Sequence, residues 1–178
     1  DRPFLVIATR LGTYESCVMR EGRIDEAVHA SLAVPGICSP VRIGEEDFID
    51  GGVSEPIPVK ALRDIGMDVV IAVSVIPTVE EMRSSAKIEA RRRKTGVFAW
   101  LNQHLNYFAE GNLLDILRKS AMGAQIKVAE ASGTGADVLI RPITLTGNWH
   151  DYHHFATYIA EGRRATEAHL EEIRELIY

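Results

Sequence analysis

The stretch Phe48-Ile49-Asp50-Gly51-Gly52-Val53 places an aspartate after an apolar pair and before two glycines. One interpretation is a turn, because Asp-Gly is a strong turn dipeptide and glycine takes positive φ without steric cost. The other is a catalytic carboxylate on a tight loop, whose glycines let another backbone or a substrate approach closely. The six residues alone favour the turn, but the sequence on both sides reverses that preference.

The composition is that of an ordinary soluble globular protein. The 178 residues are 46% apolar and 25% charged, enough for one domain with a sizeable core. The net charge of −5 excludes a global field that would attract nucleic acid. Cys17 and Cys38 form no CxxC motif, and we expect two free, buried thiols in a reducing compartment, with a single disulfide as the alternative. No signal peptide or membrane-spanning run is present, so a cytoplasmic location is expected.

The start of the chain indicates part of a longer protein. Residues 4–8 are apolar on both faces, as in the middle of a covered sheet, and no initiator methionine precedes them. A buried central strand rarely lies at a native N-terminus. We therefore expect the C-terminal part of a larger chain.

The remaining pattern predicts alternating helices and strands. A helix rich in small residues follows position 24, and a continuous β-branched run at 68–76 predicts a strand buried on both faces. Residues 77–96 are highly charged and read as a solvated, mobile connection. A further strand is expected at 137–142, followed by one long amphipathic helix.

Three segments in this order resemble the patatin-like phospholipase family, specifically the C-terminal part of its bacterial-type catalytic domain. They are Ala-Ser-x-Ala-x-Pro at 30–35, Asp50-Gly51-Gly52, and the predicted helix and strand at 62–73. The resemblance implies a three-layer α/β/α fold with a mostly parallel central sheet, of which residues 1–178 are the C-terminal part. It also implies hydrolysis of acyl esters by a Ser-Asp dyad, without a cofactor. Asp50 would activate the serine, and Gly51 and Gly52 would form its loop.

The sequence departs from the family in lacking the serine motif. No Gly-x-Ser-x-Gly is present, and no glycine-rich oxyanion loop; in the family both precede the part seen here. Ser132-Gly133-Thr134-Gly135 comes nearest but lies at a predicted helix end. Cys38 is a smaller departure, since an aromatic residue is commoner there in the family.

Two other groups of residues suggest chemistry. His150, Asp151, His153 and His154 could ligate a metal, although a polar loop before the last helix is the preferred interpretation. The basic run at 91–94, followed by Phe98, Trp100 and Phe108, could contact an anionic membrane surface, against the alternative of a solvated loop and a core-facing helix.

Two functions of different classes follow. The first is a serine esterase or phospholipase whose Asp lies in this chain and whose serine lies in the missing N-terminal part of the same domain. Its substrate would be a lipid or other acyl ester, and peripheral membrane contact would suit it. The second is a non-catalytic lipid- or partner-binding protein that kept the fold. A metal-dependent hydrolase using residues 150–154 is a weaker third hypothesis.

Overall fold

The computed structural model describes residues 2–92, 113–143 and 152–177. The strands in these ranges are β1 (Val6–Arg10), β2 (Ser16–Met19), β3 (Val41–Ile43), β4 (Glu46–Asp50), β5 (Ile71–Val73) and β6 (Val138–Ile140). The α-helices are α1 (Ile24–Ser31), α2 (Val59–Arg63), α3 (Val79–Arg92), α4 (Leu113–Ser132), α5 (Phe155–Glu167) and α6 (Leu170–Ile177). Two single 3-10 turns span Gly51–Val53 and Tyr152–His154.

The strands form two sheets of different kinds. A four-stranded sheet has the order β2-β1-β4-β3, and all of its neighbours are antiparallel. The connections β1–β2 and β3–β4 are too short for a parallel crossover, which needs a dozen or more residues. β5 and β6 pair in parallel, with α3 and α4 lying between them in the sequence. The α/β class is therefore confirmed, while the expected mostly parallel pairing holds only for β5 and β6 among the described strands.

β1 is the centre of the four-stranded sheet. Its residues from Val6 to Thr9 are all buried, as the apolar start of the chain predicts. The small side chains of α1 allow this helix to lie close to the sheet: Ala30 is fully buried and packs in one cluster with Ala8 and Phe48. Close packing of α1 brings the end of the helix to the end of β4, where Asp50 lies.

The second core joins β5 and β6 to α2 and α4. Its buried members are Ile57, Val59, Val70, Ala72 and Ala129.

The carboxylate of Asp137 connects three elements at the edge of the second core. Asp137 Oδ2 accepts hydrogen bonds from Val70 N at 2.7 Å and from Arg63 Nη2 at 2.6 Å. The Val70 amide first, and then the Arg63 guanidinium, hold the pKa of Asp137 below its usual value. α2, β5 and the start of β6 are thereby tied together.

β5 is shorter than the predicted strand at 68–76. It pairs only with the three residues of β6, so hydrogen bonding ends where that partner ends. Burial alternates along it, because Val70, Ala72 and Ser74 are buried whereas Val73 and Val75 are 57% and 73% exposed. The run is therefore covered on one face only by the described residues, in contrast to the predicted burial on both faces.

Residues 79–92 form the helix α3 rather than an irregular connection. A capping box begins it: Thr78 N donates to Glu81 Oε2 at 2.6 Å, and Glu81 N donates to Thr78 Oγ1 at 3.2 Å. Arg141 also reaches Glu81, at 3.3 Å. The Thr-x-x-Glu pattern that indicates this helix start was outweighed in the sequence by the high charge of the residues that follow. The mobility of the segment stays a prediction.

The C-terminal region and the cysteines also differ from expectation. Two helices, α5 and α6, replace the predicted single long helix, and a tight bond from His169 N to Thr166 O lies between them. Cys17 and Cys38 are free, and Cys38 is exposed instead of buried. In the described part of the chain, no helix is both long and apolar enough to cross a membrane.

Candidate active site at Asp50

The main chain of Asp50 is fixed on both sides. Its N–H donates to the Ala33 carbonyl at 3.0 Å, which links β4 to the residues that follow α1. Its carbonyl accepts a hydrogen bond of 2.8 Å from the hydroxyl of Thr9, a fully buried residue of β1. The Ala-Ser-x-Ala-x-Pro segment and the Asp-Gly-Gly motif are thus in direct contact.

The carboxylate of Asp50 is held by one oxygen. Oδ1 accepts the Gly52 N–H at 2.6 Å, an Asx turn that caps the following 3-10 turn. Within the described residues no hydrogen bond reaches Oδ2, and no buried side-chain oxygen lacks a partner, so Oδ2 is not fully buried. One oxygen fixes the orientation and the other is available for a proton.

Partial burial raises the pKa of the Asp50 carboxyl, and the Gly52 hydrogen bond opposes this rise. Desolvation disfavours the charged form of a carboxylate. A higher pKa makes Asp50 a stronger base than an exposed aspartate, which suits proton abstraction near neutral pH.

The two glycines serve close approach rather than positive φ. Neither Gly51 nor Gly52 has a positive φ. A Cβ built on Gly51 would lie 2.2 Å from the Ile7 carbonyl oxygen, whereas a Cβ on Gly52 would lie 2.8 Å from Asp50 Oδ1. Asp50 therefore makes the turn, and Gly51 lets the backbone of β1 pass against it, whereas the catalytic role of Asp50 stays a prediction.

Ser54 lies near Asp50 in the sequence, but its hydroxyl proton is committed elsewhere. Thr9 Oγ1 and Ser54 Oγ are 2.7 Å apart. Thr9 has a single hydroxyl proton, which it donates to the Asp50 carbonyl. Ser54 must then be the donor to Thr9. It braces the turn and is not poised to give its proton to the Asp50 carboxylate.

Gln125 of α4 is a site residue that the sequence analysis missed. Its Nε2 donates to the Gly52 carbonyl at 3.3 Å. The same nitrogen would lie 2.9 Å from a Cβ on Gly52, beside the position of Asp50 Oδ1. A single glutamine on a helix carries no sequence signal, because only the packing of α4 against the turn brings it there.

Other candidate residues lie elsewhere or have structural roles. Ser132 ends α4 and accepts the Ile57 N–H at 3.3 Å. His153 and His154 lie in a described 3-10 turn, whereas His150 and Asp151 lie outside the described residues. No metal-binding group of His, Cys, Asp or Glu occurs among the residues that were described.

The predicted basic and aromatic membrane segment is described only at its start. Residues 93–112, which include Phe98, Trp100 and Phe108, lie outside the described residues.

A groove of about 590 Å³ lies beside the turn, between α2 and α4. Ser54 and Val59 line one side, and Val128 and Ser132 the other. Asp50 is not among its lining residues, so we assign the groove no part in the chemistry.

Comparison with known proteins shows which family the first third of the chain resembles. Residues 3–63 match the model of the patatin-like phospholipases. Uncharacterized NTE family proteins of Mycobacterium bovis and Mycobacterium tuberculosis are 31% identical over 102 residues, which is 57% of this chain and 26% of each relative. A second M. tuberculosis NTE family protein is 31% identical over 61 residues, 34% of this chain and 10% of the relative. The chain thus spans about a quarter or less of these relatives.

The region matched by the family model, residues 3–63, contains β1, α1 and the Asp50-Gly51-Gly52 turn, the elements that build the site. On this evidence the part of the chain that builds the site, residues 3–63, is similar to the patatin-like phospholipase family.

Proposed function

We propose that this chain supplies the catalytic aspartate of a serine hydrolase that acts on carboxylic esters of lipids. The observation that carries the proposal is the geometry of Asp50. Oδ1 is fixed by Gly52 N at 2.6 Å, and Oδ2 is left without a partner among the described residues. The similarity of residues 3–63 to the patatin-like phospholipases supports the ester class of the substrate.

In the proposed reaction, Asp50 acts as the general base. Oδ2 takes the proton of a serine hydroxyl while the serine oxygen attacks the ester carbonyl carbon. The tetrahedral intermediate collapses to an acyl-serine, and the leaving alcohol takes the proton from Asp50. Water then attacks the acyl group by the same route, releasing the carboxylic acid and restoring the serine. Backbone N–H donors would stabilise each oxyanion.

The nucleophilic serine is proposed to come from a part of the protein outside this chain. The sequence contains no Gly-x-Ser-x-Gly, and Ser54, the serine that follows the turn in the sequence, donates its proton to Thr9.

The exposed face of β5 supports this proposal independently. Parallel strands occur almost only in sheets covered on both faces, yet Ile71, Val73 and Val75 are 39%, 57% and 73% exposed. An apolar face of this kind suits burial against the remainder of the domain.

A lipid substrate also makes peripheral membrane contact part of the proposal. The charged run at 91–94 precedes the aromatic residues Phe98, Trp100 and Phe108. Cations attract anionic lipid and aromatic rings suit the interfacial region. Protection from hydrogen exchange at residues 91–108 by anionic, but not zwitterionic, liposomes would support this contact, and equal exchange with and without liposomes would contradict it.

The test is Asp50→Asn in the full-length protein, assayed with p-nitrophenyl butyrate and with a phospholipid. The swap is nearly isosteric and preserves the acceptor for Gly52 N, so the turn persists. Loss of a positioned general base typically costs about 100-fold to 10,000-fold in rate. Near-normal activity would refute the role of Asp50. A fluorophosphonate probe that labels no serine would favour the non-catalytic lipid- or partner-binding protein.

A further inference from the structure

The Asp50 turn touches a side chain from a distant part of the sequence. Gln125 lies 73 positions after Gly52, yet its Nε2 donates to the Gly52 carbonyl. Gln125 is partly buried, and the next residue, Ile126, is only 2% exposed. α4 is therefore seated firmly enough to hold the amide at the turn.

The absence of a side chain at Gly52 is what brings this amide near the carboxylate. One point, the Cβ position of Gly52, lies 2.8 Å from Asp50 Oδ1 and 2.9 Å from Gln125 Nε2. The two polar atoms can be no farther apart than the sum of these distances. Nε2 carries two N–H groups, of which one is used for the Gly52 carbonyl. The other makes no hydrogen bond to a described residue.

We propose that Gln125 is a positioning residue for Asp50, fixing the Asp-Gly-Gly turn through the Gly52 carbonyl and presenting an amide dipole to the carboxylate. This inference rests on the proposed function, since it gives Gln125 a role in the same reaction. Two effects follow from one side chain. The turn keeps the orientation that leaves Oδ2 open, and the positive end of an N–H stabilises the ionised form of the base.

Other charges do not provide this tuning. Burial raises the pKa of Asp50 and the Gly52 N–H opposes this rise, and no charged group of the described residues contributes to the shift. The elements packed against the turn and β4 are β1, α1, β3 and α4. The described charged or titratable side chains of these elements, of β4 and of the loop after the turn are Arg10, Asp25, Glu26, His29, Arg42, Glu46, Asp47, Glu55, Lys119, Lys127 and Glu130.

A charge series at position 125 tests the inference in the full-length protein. Gln125→Glu adds a like charge beside Asp50, Gln125→Met removes the donor at similar length, and Gln125→Lys adds an opposite charge. A charge within about 4–6 Å of a carboxylate shifts its pKa by about one unit or more. The acid limb of the pH profile of kcat/KM with p-nitrophenyl butyrate should therefore move to higher pH in Gln125→Glu and, by less, in Gln125→Met. It should move to lower pH in Gln125→Lys.

The matched control is Lys127→Gln, two positions along the same helix. Lys127 is exposed and pairs with Glu130 at 2.7 Å. Its replacement alters the charge of α4 without touching the turn, so the acid limb should stay within about 0.2 units, because exposed charges are strongly screened.

A second readout does not depend on activity. The carboxyl carbon of Asp50, assigned by its loss in Asp50→Asn, can be titrated by NMR in the unliganded protein. The pKa of Asp50 is expected to be highest in Gln125→Glu, lower in Gln125→Met, lower again in the wild type and lowest in Gln125→Lys. An unchanged pKa across the series would overturn the inference, as would failure of all three variants to fold, which would make Gln125 a purely structural residue.

The two proposals fail in distinguishable ways. An active Asp50→Asn protein would remove the proposed function, whereas an inactive one with an acid limb that ignores position 125 would remove only the role of Gln125.

Discussion

Replacement of Gly51 by alanine is expected to be among the most destabilising small changes in this chain. The added methyl carbon would lie 2.2 Å from the Ile7 carbonyl oxygen and 2.7 Å from its carbonyl carbon. Ordinary contacts begin near 3.4 Å, so the two chains must separate by about 1 Å. The obstacle is the backbone of a buried strand, which cannot rotate away as a side chain can.

The expected cost follows from what that separation disturbs. Overpacking a tight interior costs about 1–3 kcal/mol. A shift of about 1 Å also stretches the bond of 2.8 Å from Thr9 Oγ1 to the Asp50 carbonyl beyond hydrogen-bonding distance. Leaving these buried groups unpaired adds about 1–3 kcal/mol. The lower entropy of the unfolded alanine chain returns about 0.4–1 kcal/mol. A net loss of about 1–6 kcal/mol in the free energy of unfolding is expected.

Urea unfolding of the full-length protein, followed by circular dichroism, measures this loss. Gly12→Ala is the matched control, because a Cβ there meets nothing within 4 Å and the backbone has no positive φ. It should change stability by no more than about 0.5 kcal/mol. Gly52→Ala provides the contrast: its Cβ would meet the side-chain atoms Asp50 Oδ1 and Gln125 Nε2. These atoms can move, so activity should fall more than stability. A Gly51→Ala protein as stable as the Gly12→Ala control would refute the reasoning.

Three further predictions concern the charge of the site, the incomplete active site and α3. Burial raises the pKa of Asp50, so ionisation of this carboxyl lowers the stability of the folded state as the pH rises through that pKa. Asp50→Asn should therefore raise Tm at pH 7. This gain should vanish below about pH 3.8, the ordinary pKa of aspartate, where the wild-type carboxyl is protonated in both states. A gain that persists at pH 3 would contradict the electrostatic cause. The isolated chain 1–178 should neither hydrolyse p-nitrophenyl butyrate nor be labelled by a fluorophosphonate. Hydrolysis together with fluorophosphonate labelling would show that the chain contains its own nucleophile. Amides of α3 should exchange faster than those of α4, because the sequence of α3 is rich in charged residues and poor in apolar ones; slower exchange in α3 would contradict its predicted mobility.

Local sequence patterns were sufficient to predict those features of secondary structure that depend on neighbouring residues. The helix that begins at Ile24 and the end of α4 before Gly133 both follow from helical spacing and glycine breakers. The same is true of the capping box at Thr78, whose signal was present but outweighed by the charge of the following residues.

Strand pairing could not be predicted in the same way. The β-branched run at 68–76 indicates a strand, but its paired length is set by β6, about 65 residues later. The exposure of Val73 and Val75 depends on what covers that face. Neither property belongs to the residues of the strand itself.

The sequence by itself determined that Asp50 lies on a tight glycine turn between β4 and α2, and through its ordered motifs it indicated the family. Only the tertiary structure decided why the glycines are needed and which groups surround the carboxylate. Gly51 is required because the carbonyl of Ile7 passes 2.2 Å from where its Cβ would be. Gln125 reaches the turn only because α4 packs there. Propensities and motifs act over a few neighbouring residues, whereas close approach and desolvation arise from segments far apart in the chain.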